Sequence, residues 1–279
     1  MEIEVSDAAL EFGAVPPAVW AVLACGFGAS LCVAWLVVRR MRLGMEPVPW
    51  RPRPAASWNG ADVAAAVVGF LVLQVLAAGS LPPDAGPRMQ LAAGSVAMLL
   101  FSAGAMLGLV SRGADWAVFG WRQERLAADT GLAIAGLLLL LAPLLGLAAV
   151  LDRVVPYSHP LVDVLAETRD AASIGLVVFA AVVAAPIAEE LLFRRLLQGW
   201  LESRLEPAGP RTGGVMAVVL SSLAFAAAHT GQGLAWVPLF FFGLVVGYLA
   251  RQTGSIVPGI ILHGLFNAVS VGMVVLQTS

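Results

Sequence analysis

Eight apolar runs, near 15–38, 61–81, 89–111, 129–151, 173–194, 213–230, 234–250 and 255–276, limit what this chain can become. Each approaches the roughly 20 residues that a helix needs to cross a hydrocarbon core. Only 12% of the 279 residues are charged, and the mean hydropathy of +0.88 lies outside the range of soluble domains. The expected fold is an all-α membrane protein, a polytopic bundle of about eight transmembrane helices. The seventh run is short, and the break at Gly231, Gln232 and Gly233 leaves room for a re-entrant turn.

Arginine sets the orientation, because the chain has no lysine. With the amino terminus outside, the inner loops collect Arg39, Arg40, Arg42, Arg51, Arg53, Arg112, Arg122, Arg125, Arg194, Arg195, Arg204, Arg211 and Arg251. Arg88, Arg153 and Arg169 stay outside, so thirteen stand against three, a positive-inside bias. The net charge of −2 hides this asymmetry and gives no case for nucleic-acid binding. The first run lacks the features of a cleaved signal peptide and is expected to stay. Cys25 and Cys32, seven residues apart in that run, are too far apart to pair with each other and read as packing residues. The Pro/Arg-rich stretch MRLGMEPVPWRPRPAAS reads as an irregular surface linker. Trp116, Phe119 and Trp121, with Arg122 and Arg125, suit the headgroup level, and His159 reads as a solvated loop residue.

Against this background two adjacent carboxylates, Glu189 and Glu190, end a long apolar run. A charge at the bilayer centre costs about 2.5–3.5 kcal/mol on insertion scales, so such groups face an interior or a wet cavity. A solvated helix end, with both side chains snorkelling beside Arg194 and Arg195, is the alternative. Helix geometry separates the two: Glu190 and Arg194 are i, i+4 and can pair, while Glu189 points about 100° away. An unpaired carboxylate there suits a general base. Pro186 removes a backbone hydrogen bond just before it, which can kink the helix or admit water. Two histidines, His229 and His263, lie in or beside later apolar runs, and Asn267 shares a helix face with His263. Either histidine alone could simply bond another helix.

Glu189-Glu190-Leu-Leu-Phe-Arg194, Phe225-Ala-Ala-Ala-His229 and His263-Gly-Leu-Phe-Asn267 resemble, in order and approximate spacing, the motifs EExxxR, FxxxH and HxxxN of the CPBP family. These intramembrane proteases include type II CAAX prenyl endopeptidases and bacteriocin-processing and self-immunity proteins. The resemblance covers about residues 130 to 275, which divides the chain into an amino-terminal addition of three helices, 1–128, and a catalytic core, 129–279. It implies peptide hydrolysis in which Glu189, helped by His229, activates water, and His263 and Asn267 stabilise the oxyanion. Glu190 and Arg194 would act from behind, and Phe225 would pack.

Zinc held by His229 and His263 is the competing mechanism; the chain lacks an HExxH pair and asparagine is a poor zinc ligand, so no cofactor is favoured. His229 lies eighteen residues past Arg211, while His263 lies only about 12 Å of helix beyond the Arg251 turn. Those depths agree if the fifth and sixth helices form a long hairpin, around a wet conical cavity open to the cytosol. Two other readings stay open: an inactive scaffold or immunity protein, and an ion- or proton-coupled transporter. The expected partners are the bilayer and a membrane-associated peptide or protein. By analogy the setting is a bacterial inner membrane.

Overall fold

A computed structural model describes residues 17–51, 56–120, 123–155, 164–165 and 170–277. Eight long helices dominate: α1 (Pro17–Arg42), α2 (Gly60–Gly79), α3 (Pro87–Ser111), α4 (Leu126–Asp152), α5 (171–205), α6 (Pro210–Ala227), α7 (Trp236–Thr253) and α8 (Val257–Gln277). Among the described residues there is no strand. Helices satisfy their own backbone groups, which is the requirement lipid imposes. Seven of these helices are long and apolar enough to cross a membrane, and the chain is a multi-pass integral membrane protein. The exception is α7, with 18 residues and a polar last turn of Arg251, Gln252 and Thr253. It occupies the expected seventh position and is as long as α6, but is less apolar than the other seven. The Gly231–Gly233 break is a plain run of turns, with Gly233 at φ 65°.

Local signals set the helix ends. Asn59 caps α2 and is answered by Asp62, a reciprocal capping box. Asp170 caps α5 by accepting from the Ser173 N–H at 2.9 Å. That bond holds the Asp170 carboxyl below the usual 3.8. Gly254 closes α7 in the left-handed region at φ 67°, where glycine carries no Cβ penalty.

The apolar stretch containing α5 continues to Ala208, 38 residues in all. At 1.5 Å per residue that is about 57 Å, nearly twice a hydrocarbon core. Gly209, at φ 94°, then turns the chain into α6. The expected long hairpin therefore forms, and its tip is symmetric. Glu189 lies 209 − 189 = 20 residues before Gly209, and His229 lies 229 − 209 = 20 residues after it. Equal arms bring the two side chains to the same level. Gln198 ties the hairpin to α7 through Gly247 O, 2.9 Å, while Arg251 donates to Pro210 O, 2.8 Å. The tip thus lies beside the α7–α8 turn.

The amino-terminal helices hold on to this core at the arginine-rich end. Trp58 donates to Leu196 O at 2.9 Å and lies against Gly199, where a Cβ would stand 2.9 Å from its ring. Trp200 fills the equivalent space over Gly60. Arg195 stacks on Trp58 at 4.9 Å. The linker lies along the core: Arg51 N donates to Gln252 O and Val48 N to the Tyr248 hydroxyl.

Two expectations change. Cys25 and Cys32 are exposed, because α1 reaches the core mainly through α4 and turns this face away from the bundle. Phe119 is buried among Leu191, Leu192 and Ile256, while Trp116 stays exposed. A glycine contact explains the inward turn: Gly120, at φ 75°, packs on Ser255 so closely that any Cβ would overlap it. Trp121, Arg122 and His159 lie outside the described residues.

Candidate active site

The site is built on three elements. Glu189, Glu190 and Arg194 come from the middle of α5, Phe225 from the last turn of α6, and His263 and Asn267 from α8. His229 stands two residues beyond the end of α6, in a turn. Around Pro186 the backbone of α5 is not uniformly α: π-helical turns span Ala180–Ala184 and Glu190–Gln198. Such wide turns recur at functional sites because they re-aim side chains within a continuous helix.

The adjacent carboxylates have opposite surroundings. Glu190 is fully buried, with Oε2 3.3 Å from Arg194 Nε and Oε1 3.1 Å from His263 Nδ1. Glu189 keeps 16% of its side chain exposed, and its Oε2 has no hydrogen-bond partner among the described residues. That oxygen lies 3.9 Å from His229 Nε2 and 3.8 Å from His263 Nε2. These gaps are too wide for direct hydrogen bonds and suit a bridging water.

Each imidazole is oriented from behind. His229 Nδ1 is 2.8 Å from Phe225 O, and a carbonyl only accepts, so Nδ1 carries the hydrogen. His263 Nδ1 meets the Glu190 carboxylate in the same sense. Both rings therefore turn Nδ1 away from Glu189 and face it with Nε2. Phe225 is the shared floor: fully buried, it packs its ring 4.7 Å from His229, 5.9 Å from His263 and 4.8 Å from the Arg194 guanidinium. Phe242 closes over His263 at 5.1 Å.

The structure thus brings Glu189, His229 and His263 together, with Glu190, Arg194 and Phe225 around them. Asn267 sits one turn beyond His263 and donates Nδ2 to Ala181 O at 2.8 Å. Sequence spacing foresaw the Glu190–Arg194 pair. It missed the Glu190–His263 contact, made across 73 residues, and the roles of Phe242 and the Ala181 carbonyl, for which no local pattern exists.

A zinc ion would draw on His229, His263 and Glu189. Bonds of about 2.0–2.1 Å set tetrahedral ligands about 3.3 Å apart, shorter than the 3.8 and 3.9 Å found here. Among the described residues no three His, Cys, Asp or Glu side chains stand close enough to hold a metal ion.

The family model described as type II CAAX prenyl endopeptidase Rce1-like matches residues 171–269. Comparisons with curated proteins and with solved structures returned no match. The matched segment opens at the first residue of α5 and closes two residues after Asn267, so it holds every side chain of the cluster. Residues 171–269 are thus similar to the Rce1-like family of type II CAAX prenyl endopeptidases.

Proposed function

We propose that this chain is an intramembrane endopeptidase that hydrolyses a membrane-associated or lipidated peptide with water activated by Glu189. The observation that carries the reading is the free Glu189 Oε2 between two Nε2 atoms, at 3.8 and 3.9 Å, in a chain built of membrane helices. A water held there donates its hydrogens to Glu189 and His229 and aims its oxygen lone pair at a peptide carbonyl. As the C–O bond forms, Glu189 takes the proton and passes it to His263 Nε2. The imidazolium so formed lies against the Glu190 carboxylate, which is itself held by Arg194. It donates to the oxyanion with Asn267 and then gives its proton to the departing amine as the C–N bond breaks.

The matched family supports a lipidated CAAX peptide as substrate, and an unlipidated membrane peptide is the other reading. The wet cavity open to the cytosol and the bacterial inner membrane belong to the same proposal. The test is cleavage of quenched-fluorescence peptides, one ending in a farnesylated CAAX sequence and one without the lipid, by the full chain in lipid nanodiscs. Wild type should release fluorescence from at least one, and Glu189→Gln from neither. Equal release by both proteins, or none by wild type, would overturn the reading.

A further inference from the structure

Pro186 leaves two carbonyl groups of α5 without their helical donors. In the π register of Ala180–Ala184 the next donor, for Ala181 O, would be the N–H of residue 186, and in an α-helix Val182 O would accept from the same residue. Here the Ala185 N–H goes to Ala180 O, and proline has no N–H. Helix α8 meets both carbonyls. Asn267 Nδ2 donates to Ala181 O at 2.8 Å, and Gly264 approaches Val182 O so closely that a Cβ would stand 2.7 Å away. Only glycine permits that approach. One turn earlier on α8, His263 reaches Glu190. Three successive sites on α8 thus seat on one face of α5, and two of them use backbone that Pro186 has set free.

We propose that Pro186 is a positioning residue for Asn267: by withholding a helical donor from Ala181 O, it creates the acceptor that fixes the plane of the Asn267 amide. An amide has two N–H donors. Ala181 takes one, and the other is held ready for the oxyanion. The catalytic half of this inference rests on the hydrolytic reading above; the pairing half does not.

A double-mutant cycle of Pro186→Ala and Asn267→Ala in the full chain tests it, with melting temperature and peptide-cleavage kinetics as separate readouts. Pro186→Ala restores an N–H that competes for the freed carbonyls. It should fold at least as stably as wild type, since proline inside a helix is destabilising. Its kcat should fall about 10-fold or more, with KM within about twofold, as expected when an oxyanion donor loses its orientation. Asn267→Ala should lower Tm by about 2–4 °C in wild type and by less than half as much beside Pro186→Ala. Its kcat loss should shrink in the same way.

Additive effects in both cycles would overturn the proposal. Coupling in Tm with additive kcat losses would keep the bond and overturn the positioning role. Should Pro186→Ala fail to fold, Gly264→Ala takes its place, because its Cβ forces α8 off the same carbonyls; kcat losses additive with Asn267→Ala would then sink the idea. Coupling in Tm with no peptide cleaved by wild type would overturn the hydrolytic reading and the catalytic half together, leaving the pairing in place.

Discussion

Glu189 and Glu190 are sequence neighbours whose removal should have unlike consequences. Glu189 Oε2 has no hydrogen-bond partner among the described residues, so Glu189→Gln keeps the shape and removes the proton acceptor. We expect about 10²–10⁴-fold lower turnover with an unchanged melting curve. Glu190 balances a fully buried guanidinium, and breaking a buried pair by neutralising one partner typically costs about 3–5 kcal/mol. Glu190→Gln should therefore lower stability and keep partial activity, because its carbonyl can still accept the His263 hydrogen. Combining it with Arg194→Gln should cost less than the sum of the two. Dead, well-folded Glu190→Gln beside active Glu189→Gln would reverse the assignment. The donor spacing around Glu189 leads to a further expectation: activity survives exhaustive chelation. Loss on chelation, restored by zinc alone, would make His229 and His263 ligands.

At the scale of elements, the tryptophan–glycine interlocks and the α5 cap decide how firmly helices sit. Trp58 over Gly199 and Trp200 over Gly60 leave no space for a side chain. Overpacking of this kind usually costs about 1–3 kcal/mol, so Gly199→Val should depress Tm and loosen α2 from α5, while Gly26→Val, in open space, should not. A differential scan of both variants measures this. The Asp170 cap adds a pH signature. Its folded-state carboxyl titrates below 3.8, chiefly because the Ser173 N–H bonds the ionised form. A depressed value contributes stability that is complete above 3.8 and lost as pH falls through the lower, folded-state value. The Tm gap between wild type and Asp170→Ala should therefore be constant near neutrality and close at strongly acid pH. A gap that widens on acidification would contradict the cap.

For the molecule as a whole, topology is the first check. The thirteen-to-three arginine bias predicts that Arg204, near the hairpin tip, lies on the cytosolic side. A chain with Cys25 and Cys32 replaced and Arg204→Cys introduced should react with an impermeant thiol reagent only in inverted vesicles. Labelling in right-side-out cells would invert the whole arrangement.

Much of this architecture was legible because apolar length, helical period and a charge inside an apolar run are local properties of sequence. Seven of the eight expected spans, the hairpin and the Glu–His–His set came from those alone. The outward cysteines, the buried Phe119, the π-turns and the seat of Asn267 were not legible, since each depends on which distant helix packs alongside. Pro186 could be read as a broken bond, but nothing in the sequence said that α8 would use the carbonyl it released.

The equal arms of the α5–α6 hairpin also restrict where this chain can change length. An insertion within one arm would carry Glu189 or His229 about 1.5 Å along and 100° around relative to the other, dephasing the two groups without touching either. Residues added at Gly209 displace neither. The tip can therefore accept tags, loops or docking peptides, whereas each arm behaves as a fixed-length ruler whose miscount should silence the protein.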